Sequence, residues 1–414
     1  MKYLQKIIIT KLLIVTGIPI LSFSSPSFRV SSYAFSEADQ LKQQQYIEQV
    51  IDQAEYGSVS MNFLTDDLRD VFIDDFIRTL YSHSKKGNVK IGPNNCVITW
   101  KPSDAPALNN QKNAPPVFAD WENGNAIGYS FSGGRLGDNL VAYFHAKWLA
   151  YKYNLPLRYV PFPYADQFCL SNEDQVGSSV KFRNIVHTAN ETVITSISNS
   201  TLYVIPYFCE NTDHLYDLRR NYRVEIPSFY VDWENPEFHA EVVRCLTPKN
   251  SIVTAKLPTD KITVGVHVRR GCGGDDLSIR VKEPLKFPHD SYYIEQIKRV
   301  ARIFKDRSLY VYILTDDRDP SSIVETYQKA INNPNLYFDC RKEKHDPDVS
   351  FLEDFFLIPQ FDCLIICQSN FSLMASKIAD HILVITPVHP TFVDGYFMMD
   401  EVDVTFNSKK QGKL

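Results

Sequence analysis

The stretch 261–271, KITVGVHVRRG, decides the fold predicted for this chain. Side chains of a strand alternate between its two faces, so Val264, Val266 and Val268 share one face. Polar residues follow where this apolar strand ends. In an open α/β sheet, ligands bind at the carboxyl ends of the strands. The stretch therefore predicts a buried strand with a ligand site at its carboxyl end.

Two adjacent arginines, Arg269 and Arg270, end this strand, and Gly271 begins a loop. His267 and Arg269 fall on the face opposite the valines. A planar guanidinium group can bind phosphate oxygens in pairs, which favours an anion site. The alternative is a pair of solvated arginines with a packed histidine behind them. The pattern alone leaves both interpretations open.

The composition is that of a folded protein with a large core. The chain has 414 residues, of which 44% are hydrophobic and 22% charged. Its net charge of −5 provides no basic field, which argues against general nucleic-acid binding. The eight cysteines contain no CxxC pair, so they permit disulfides without indicating them. Cys363 and Cys367 lie in an apolar run and are predicted to be buried thiols.

The N-terminus resembles a targeting segment. Three lysines precede the uncharged run 12–28, whose dense apolar part is only 12–21. A membrane span needs about 20 apolar residues, so residues 1–34 are predicted to be a signal peptide or a short signal anchor. Either places the body of the protein in the secretory pathway or outside the cell, membrane-associated if the segment is not cleaved. Three sequons, at Asn190, Asn199 and Asn370, permit glycosylation in a eukaryote, although Asn370 is expected to remain unmodified.

Three further regions follow. Residues 35–125 are predicted to form an N-terminal extension, with one amphipathic helix near 64–80 and irregular structure over 85–125. Residues 126–250 form an N-terminal α/β lobe that begins with a strand, a glycine-rich turn and a helix. Residues 251–414 alternate strands with helices, which predicts a C-terminal Rossmann-like lobe with a parallel sheet.

The motifs resemble those of the fucosyltransferases that carry an HxRR signature, closest to the α-1,2 branch of glycosyltransferase family 11. HVRRG at 267–271 is similar to that signature, and GGRLGDNLVAY at 133–143 is similar to the family's glycine-rich turn. EDFFLIPQFDCLIICQSNFSLMA at 353–375 resembles its acidic pair, strand and serine motif. SYY at 291–293 and TDD at 315–317 also match family patches, and all occur in family order.

The resemblance implies a GT-B-like α/β fold, with two Rossmann-like lobes facing each other across a nucleotide-sugar cleft. It implies inverting, metal-independent transfer of fucose from GDP-fucose to a hydroxyl of a glycan or protein. GDP-fucose is then the donor substrate, with no cofactor and no metal ligand. The implied partners are that donor and a glycan or glycoprotein acceptor, with no nucleic acid, and membrane association is possible through the N-terminus.

Site residues follow from the same resemblance. Arg270 matches the family's essential arginine and is the predicted catalytic residue. The predicted donor site comprises Gly134, Gly137, Asn139, His267, Arg269, Arg270, Ser369, Asn370, Phe371 and Ser372. The hydroxyls and N–H groups of 369–372 follow a strand and open a helix, where they can receive phosphate oxygens. For Ser372 the alternative is an ordinary N-cap.

The chain departs from the family pattern at three places. Asp138 and Asn139 stand where the family has Asn-Gln, and an aspartate there would repel a diphosphate unless it turned away. Residues 272–274, CGG, separate the glycine from Asp275 and Asp276, which are candidates for a general base or simply solvated loop acids. Residues 373–374, LM, replace two tryptophans.

Two other functions remain open. Asp317 and Asp319 form a DxD, which in other glycosyltransferases holds a divalent cation. Asp319 followed by Pro320 is also typical of an N-cap with proline at the first helical position, and this structural interpretation is favoured. The HDPD run at 345–348 is interpreted as a loop rather than a metal cluster. A catalytically inactive nucleotide-sugar or glycan-binding protein is the second alternative, which the altered turn at 138–139 favours.

Overall fold

The computed structural model describes most of the chain from residue 57 onward. Its described ranges are 22–24, 27–30, 57–62, 66–83, 85–92, 95–102, 124–131, 134–170, 175–176, 180–194, 200–208, 228–271, 283–342, 350–393 and 396–407. Three segments lie outside the described residues: the apolar run 12–21, residues 272–282 with Asp275 and Asp276, and the HDPD run at 345–348.

Strands and helices alternate through most of the described residues. The strands are β1 (Ser22–Ser24), β2 (Ser27–Val30), β3 (Gly57–Asn62), β4 (Lys85–Ile91), β5 (Asn95–Pro102), β6 (Ala126–Tyr129), β7 (Leu157–Arg158), β8 (Gln175–Val176), β9 (Asn184–His187), β10 (Thr201–Ile205), β11 (Ile262–Val268), β12 (Leu309–Thr315), β13 (Leu336–Cys340), β14 (Cys363–Ile365), β15 (Leu383–Val393) and β16 (Tyr396–Asn407). The α-helices are α1 (Asp66–Ser82), α2 (Leu136–Tyr153), α3 (Pro236–Cys245), α4 (Asp290–Ile303), α5 (Pro320–Ile331), α6 (Ser350–Leu357) and α7 (Asn370–Ser376).

The C-terminal lobe is a doubly wound parallel sheet. Its strands lie in the order β13-β12-β11-β14-β15, and each neighbouring pair is parallel. The order reverses between β11 and β14, because the chain moves outward from β11 to β13 and then returns to its other side. Ligands of such sheets bind at this reversal, outside the carboxyl ends of the strands. The predicted strand over the VHVRR stretch is therefore the central strand at the switch point.

The same sheet continues beyond β15 through antiparallel strands. β16 pairs with β15 and with β4, and β5 and β3 follow. The expectation of irregular structure over 85–125 is therefore wrong for β4 and β5. Lysine, asparagine and glycine dominate that stretch and hide the alternation of Val89 and Ile91, which are buried in β4. The amphipathic helix predicted near 64–80 is confirmed as α1.

Helix α1 packs against α4 through a buried ion-pair network. Asp74 is 1% exposed and accepts hydrogen bonds from the Nε atoms of Arg299 at 3.2 Å and Arg302 at 2.5 Å. Arg299 also pairs with Asp70 at 2.7 Å. Arg78 of α1 donates to the carbonyl oxygens at the end of α4, so the N-terminal segment is tied to the C-terminal lobe.

The smaller sheet belongs to the N-terminal lobe and is entirely parallel, in the order β8-β7-β6-β10-β9. The run LPLRYVPF at 155–162 predicts a second strand, but only the two residues of β7 form one, because two prolines interrupt the run. Helix α2 follows β6 and is buried on nearly every side. A helix buried all round lies between two layers of structure, and α2 lies between its own sheet and the other lobe.

Two large hydrophobic cores lie on opposite faces of the larger sheet. Val264, Val266 and Val268 face the core formed with α1, α4 and α5. Leu314 and Leu364 face the second core, which also contains the apolar residues of α2, α6 and the smaller sheet. The alternation predicted for β11 is confirmed, and both its faces are buried. The second core therefore contains side chains from both lobes.

The α/β class with two Rossmann-like lobes is confirmed by the parallel strands of these two sheets. The predicted divisions at 34/35, 125/126 and 250/251 stay predictions. Cys363 and Cys367 are buried free thiols, as predicted. Within the described ranges, no helix is both long and apolar enough to cross a membrane.

Candidate functional site

Carboxyl-end loops from both sheets meet at one place. Arg269 and Arg270 follow β11, Asp316 follows β12, and Ser369 follows β14. From the smaller sheet, Tyr207 follows β10, and the N-terminus of α2 follows β6. In each lobe these are the edges at which ligands of parallel sheets bind.

Asp316 fixes the turn that follows β11. Its carboxylate accepts hydrogen bonds from the backbone N–H of Arg270 at 2.6 Å and of Gly271 at 3.0 Å. Gly271 has φ of 78°, in the left-handed region that glycine adopts without steric cost. The direction in which Arg270 leaves the strand is therefore set by two charge-assisted backbone contacts.

Arg269 and Arg270 have different surroundings. Arg269 donates to Ser369 Oγ at 3.3 Å and lies over the Phe287 ring, 5.8 Å from its centroid. It thus links β11 to the loop after β14, across the switch point. Arg270 pairs through Nη2 with Asp290 at the start of α4, and its side chain is 19% exposed. Both arginines are partly buried, which rules out the alternative of a fully solvated pair.

His267 lies behind the arginines as a neutral side chain. Burial, and then the nearby Arg269 charge, lower the pKa of His267 to about 4. Its Nδ1 lies 3.7 Å from Cys367 Sγ, and burial raises the pKa of that thiol to about 12. The imidazole ring lies 5.8 Å from the Phe371 ring. At neutral pH, His267 can therefore act as a neutral hydrogen-bonding group but adds no positive charge.

The two lobes touch where α2 meets α7. Asn370 Nδ2 donates to Asp138 Oδ1 at 2.7 Å and to Tyr207 Oη at 2.9 Å, and Tyr207 donates to the same Asp138 oxygen at 3.0 Å. The other Asp138 oxygen accepts from the N–H of Arg135 at 3.2 Å, which helps to cap α2. Asp138 is thus held by three donors. This residue, at which the glycine-rich turn departs from the family pattern, therefore connects the two lobes.

Gly137 allows this contact to form. A Cβ placed on Gly137 would lie 2.4 Å from the backbone nitrogen of Phe371 and 2.6 Å from the Asn370 carbonyl carbon. The space at Gly134 is limited by a side chain instead, since a Cβ there would lie 2.1 Å from Asp138 Oδ2. Gly137 therefore serves the contact between α2 and α7, whereas Gly134 leaves room for the Asp138 side chain.

Substituting alanine for Gly137 tests this contact. Both clashing atoms belong to the backbone and cannot rotate away, so we expect a loss of about 1–3 kcal/mol of unfolding free energy. Chemical denaturation of Gly137→Ala against the wild type measures it. Gly128→Ala is the matched control, because its Cβ would meet only the flexible end of Leu202 at 3.2 Å. Equal stability of Gly137→Ala and the wild type would contradict the close approach of the helices.

The other predicted donor residues lie near the contact between α2 and α7 and are buried to different degrees. Asn139 is 3% exposed, and its amide lies 3.5 Å from the Gly134 carbonyl oxygen. Ser369 is the N-cap of α7, whereas Ser372 is fully buried and donates to the Ser369 carbonyl oxygen at 3.3 Å. The alternative interpretation of Ser372 as an N-cap is therefore wrong, since Ser369 holds that position, without a hydrogen bond from its own side chain to the helix. Gly133 lies outside the described residues.

The DxD residues have local structural roles. Asp319 caps α5 by accepting from Ser322 N–H at 3.2 Å, and Pro320 is the first residue of that helix. Asp317 in turn accepts from the backbone N–H of Asp319 at 3.0 Å. Among the described residues, no group of three or more His, Cys, Asp or Glu side chains is placed to hold a metal ion.

Sequence reasoning did not identify four residues at the site: Tyr207, Asp290, Asp316 and Tyr327. Asp316 could have been found, since it follows a predicted strand in the TDD patch. Asp290 directly precedes the SYY patch and carries a weaker signal. Tyr207 and Tyr327 have no distinguishing pattern, because their partners lie far away in sequence.

No protein-family model matches the chain, and no curated protein matches it. Several solved structures are similar to it. POFUT1 in complex with GDP-fucose is 10% identical, with a TM-score of 0.32 over 63% of this chain and 95% of the other. A variant of Arabidopsis thaliana FUT1 in complex with GDP is 14% identical, with a TM-score of 0.36 over 66% and 71%. The fucosyltransferase NodZ from Bradyrhizobium is 14% identical, with a TM-score of 0.35 over 66% and 98%.

Proposed function

We propose that this protein is an inverting, metal-independent glycosyltransferase that moves fucose from GDP-fucose to a hydroxyl of a glycan or protein. The observation that carries the proposal is the position of Arg269 and Arg270 at the switch point of the larger sheet, where Arg269 donates to Ser369 on the other side of the switch. The ordered motifs supply the identity of the donor, because none of the described residues is assigned to the base or to the sugar.

The proposed chemistry needs a fixed positive charge beside a departing diphosphate. The acceptor hydroxyl attacks the anomeric carbon from the face opposite GDP, the bond from that carbon to the diphosphate oxygen breaks, and the configuration inverts. The hydroxyl proton passes to solvent, and GDP leaves with the bonding electron pair. Negative charge grows on the diphosphate as the bond breaks. A guanidinium held in place beforehand stabilises that charge without reorganisation. Arg270 suits this role because Asp316 fixes its backbone and Asp290 holds its side chain.

The remaining donor residues receive roles from the resemblance. Arg269 and Ser369 are proposed to bind the diphosphate, with neutral His267 donating a hydrogen bond behind them. Asn370, Phe371 and Ser372, together with Gly134, Gly137 and Asn139, are proposed to shape the wall of the site where the lobes meet. Asn370 and Gly137 contact the opposite lobe, which supports a role in positioning the two lobes more than direct contact with phosphate.

The two alternatives have less support. A metal site on the DxD would need the Asp319 carboxylate that caps α5. The altered turn at 138–139 is the feature that favours an inactive binding protein. The contact of Asp138 with Asn370 gives this residue a structural role, so its presence in the turn does not require a loss of catalysis. We retain the secretory or exported location and the membrane association as proposals based on the N-terminal pattern.

An assay of GDP release tests the function. Purified protein is incubated with GDP-fucose, a panel of glycan and glycopeptide acceptors, and EDTA. We expect acceptor-dependent GDP release that EDTA does not reduce, with GDP-mannose and a UDP-sugar as donor controls. Release that requires added Mn²⁺ would support the DxD alternative, and GDP binding without release on any acceptor would support the binding protein.

A further inference from the structure

Arg270 belongs to a chain of contacts that reaches into the hydrophobic core. Its Nη2 pairs with Asp290 Oδ1, and the Tyr327 hydroxyl donates to the same carboxylate oxygen at 2.6 Å. Asp290 begins α4, and Tyr327 lies on α5. The three side chains come from three elements on one side of the larger sheet. Neither Asp290 nor Tyr327 belongs to the predicted donor site.

Tyr327 and Asp290 are each constrained by the helix on which they lie. Tyr327 is fully buried, and its ring stacks near that of Tyr293 with centroids 6.3 Å apart. Asp290 lies in the first turn of α4, where the helix dipole favours a carboxylate. A carboxylate that is held by the Tyr327 hydroxyl and by its place in the first turn of α4 restricts the rotamers of the arginine that it binds. The orientation of Arg270 is therefore tied to the packing of α4 and α5.

We propose that Asp290 and Tyr327 are positioning residues that hold the Arg270 guanidinium in its catalytic orientation. This inference rests on the proposed function. The contact with Asp290 uses one terminal nitrogen of a group that carries five N–H donors. The guanidinium can therefore keep its partner and still donate to a bound diphosphate.

The electrostatics of Asp290 fit a positioning role better than that of a general base. Partial burial acts to raise the pKa of Asp290, but the Tyr327 hydroxyl and the Arg270 guanidinium outweigh it and hold the pKa below its ordinary value. A carboxylate stabilised in its ionised form is a weak proton acceptor at neutral pH. Its effect on the reaction then passes through Arg270.

The test compares Asp290→Asn and Tyr327→Phe with the wild type in transfer and in GDP binding. We expect kcat to fall roughly tenfold to a hundredfold, since small displacements of a catalytic group have effects of that size. The Kd for GDP should change less than about threefold, or decrease, because Asp290→Asn removes a negative charge near the diphosphate. In an Arg270→Lys background the two substitutions should have little further effect. Glu295→Gln, an exposed charge change on the same helix, is the matched control.

Two results would overturn the inference. One is a parallel loss of kcat and GDP affinity, and the other is an Asp290→Asn effect that multiplies fully with that of Arg270→Lys. If the wild type neither binds GDP nor transfers fucose, the proposed function fails. The positioning contact is then judged from thermal unfolding of Arg270→Ala, Asp290→Asn and the double variant. Coupled shifts in Tm support it, and additive shifts refute it.

Discussion

Replacing Arg270 by alanine is expected to lower kcat for the proposed fucosyl transfer at least about a hundredfold. The guanidinium is the charged group that Asp316 and Asp290 fix at the sheet edge, where the proposed mechanism places the negative charge of a departing diphosphate. Loss of one such preorganised donor removes about 3 kcal/mol of transition-state stabilisation, which corresponds to that factor in rate. Steady-state kinetics of GDP release with a saturating acceptor measures the change.

Arg318→Ala is the matched control for this prediction. Arg318 is an exposed arginine three residues after the end of β12, at the same edge of the sheet. Its loss should leave kcat within about twofold of the wild type, because an exposed, screened charge contributes little. Arg270→Lys should retain part of the activity, since lysine keeps the charge but not the planar fork. A wild-type rate in Arg270→Ala would remove Arg270 from the mechanism.

Replacing Glu241 by glutamine is expected to lower the free energy of unfolding by about 3 kcal/mol at pH 7. Lys147 on α2 is buried, with a side chain 2% exposed, and Glu241 on α3 lies 2.8 Å from its Nζ. Glu241 also forms two hydrogen bonds of 2.7 Å with Arg244. The substitution removes the carboxylate that faces a buried ammonium group, which is far more costly than loss of an exposed pair.

The pH dependence gives this prediction a second, independent test. Burial acts to raise the pKa of Glu241, but Arg244 and Lys147 outweigh it and lower the pKa from about 4.5 to about 2. A lowered pKa stabilises the folded state above the unfolded pKa and ceases to do so as the pH falls through the folded one. Denaturation curves for wild type and Glu241→Gln should therefore converge between about pH 4.5 and pH 2.

The control for Glu241→Gln is Glu295→Gln, which breaks an exposed pair with Lys298. Exposed ion pairs contribute at most about 1 kcal/mol, so this variant should be close to the wild type at every pH. A Glu241→Gln variant that matched it would show that the pair between α2 and α3 contributes little to stability.

The fold of the C-terminal lobe could be predicted because its information is local. Period-two alternation in β11 and the regular succession of strands and helices are visible in sequence. Strands β4 and β5 could not be predicted in the same way. Strand β4 pairs with β16, which lies about three hundred residues further along the chain, and the lysines and glycine of β4 resemble a loop. The place of β4 in the larger sheet is therefore decided by tertiary contact, which overrides local propensity.

The residues of the candidate site also differ in whether their signal is local in sequence. Arg269 and Arg270 were predicted because a strand that ends in two arginines carries its own signal. The Asp138–Asn370 contact joins residues 232 positions apart, and no spacing rule connects them. Gly137 was predicted to approach the donor, whereas its backbone lies against the backbone of α7. The need for a residue without Cβ was visible in sequence, but the group that approaches it was not.

Isothermal titration of GDP into the wild type and Arg270→Ala, with EDTA present, tests the donor site most directly. GDP carries the diphosphate that the two arginines are proposed to bind, and EDTA excludes a contribution from a divalent cation. We expect saturable, one-to-one binding by the wild type that Arg270→Ala abolishes or weakens at least about tenfold. Absence of binding by the wild type, or equal binding by both proteins, would contradict a donor site on the carboxyl end of β11.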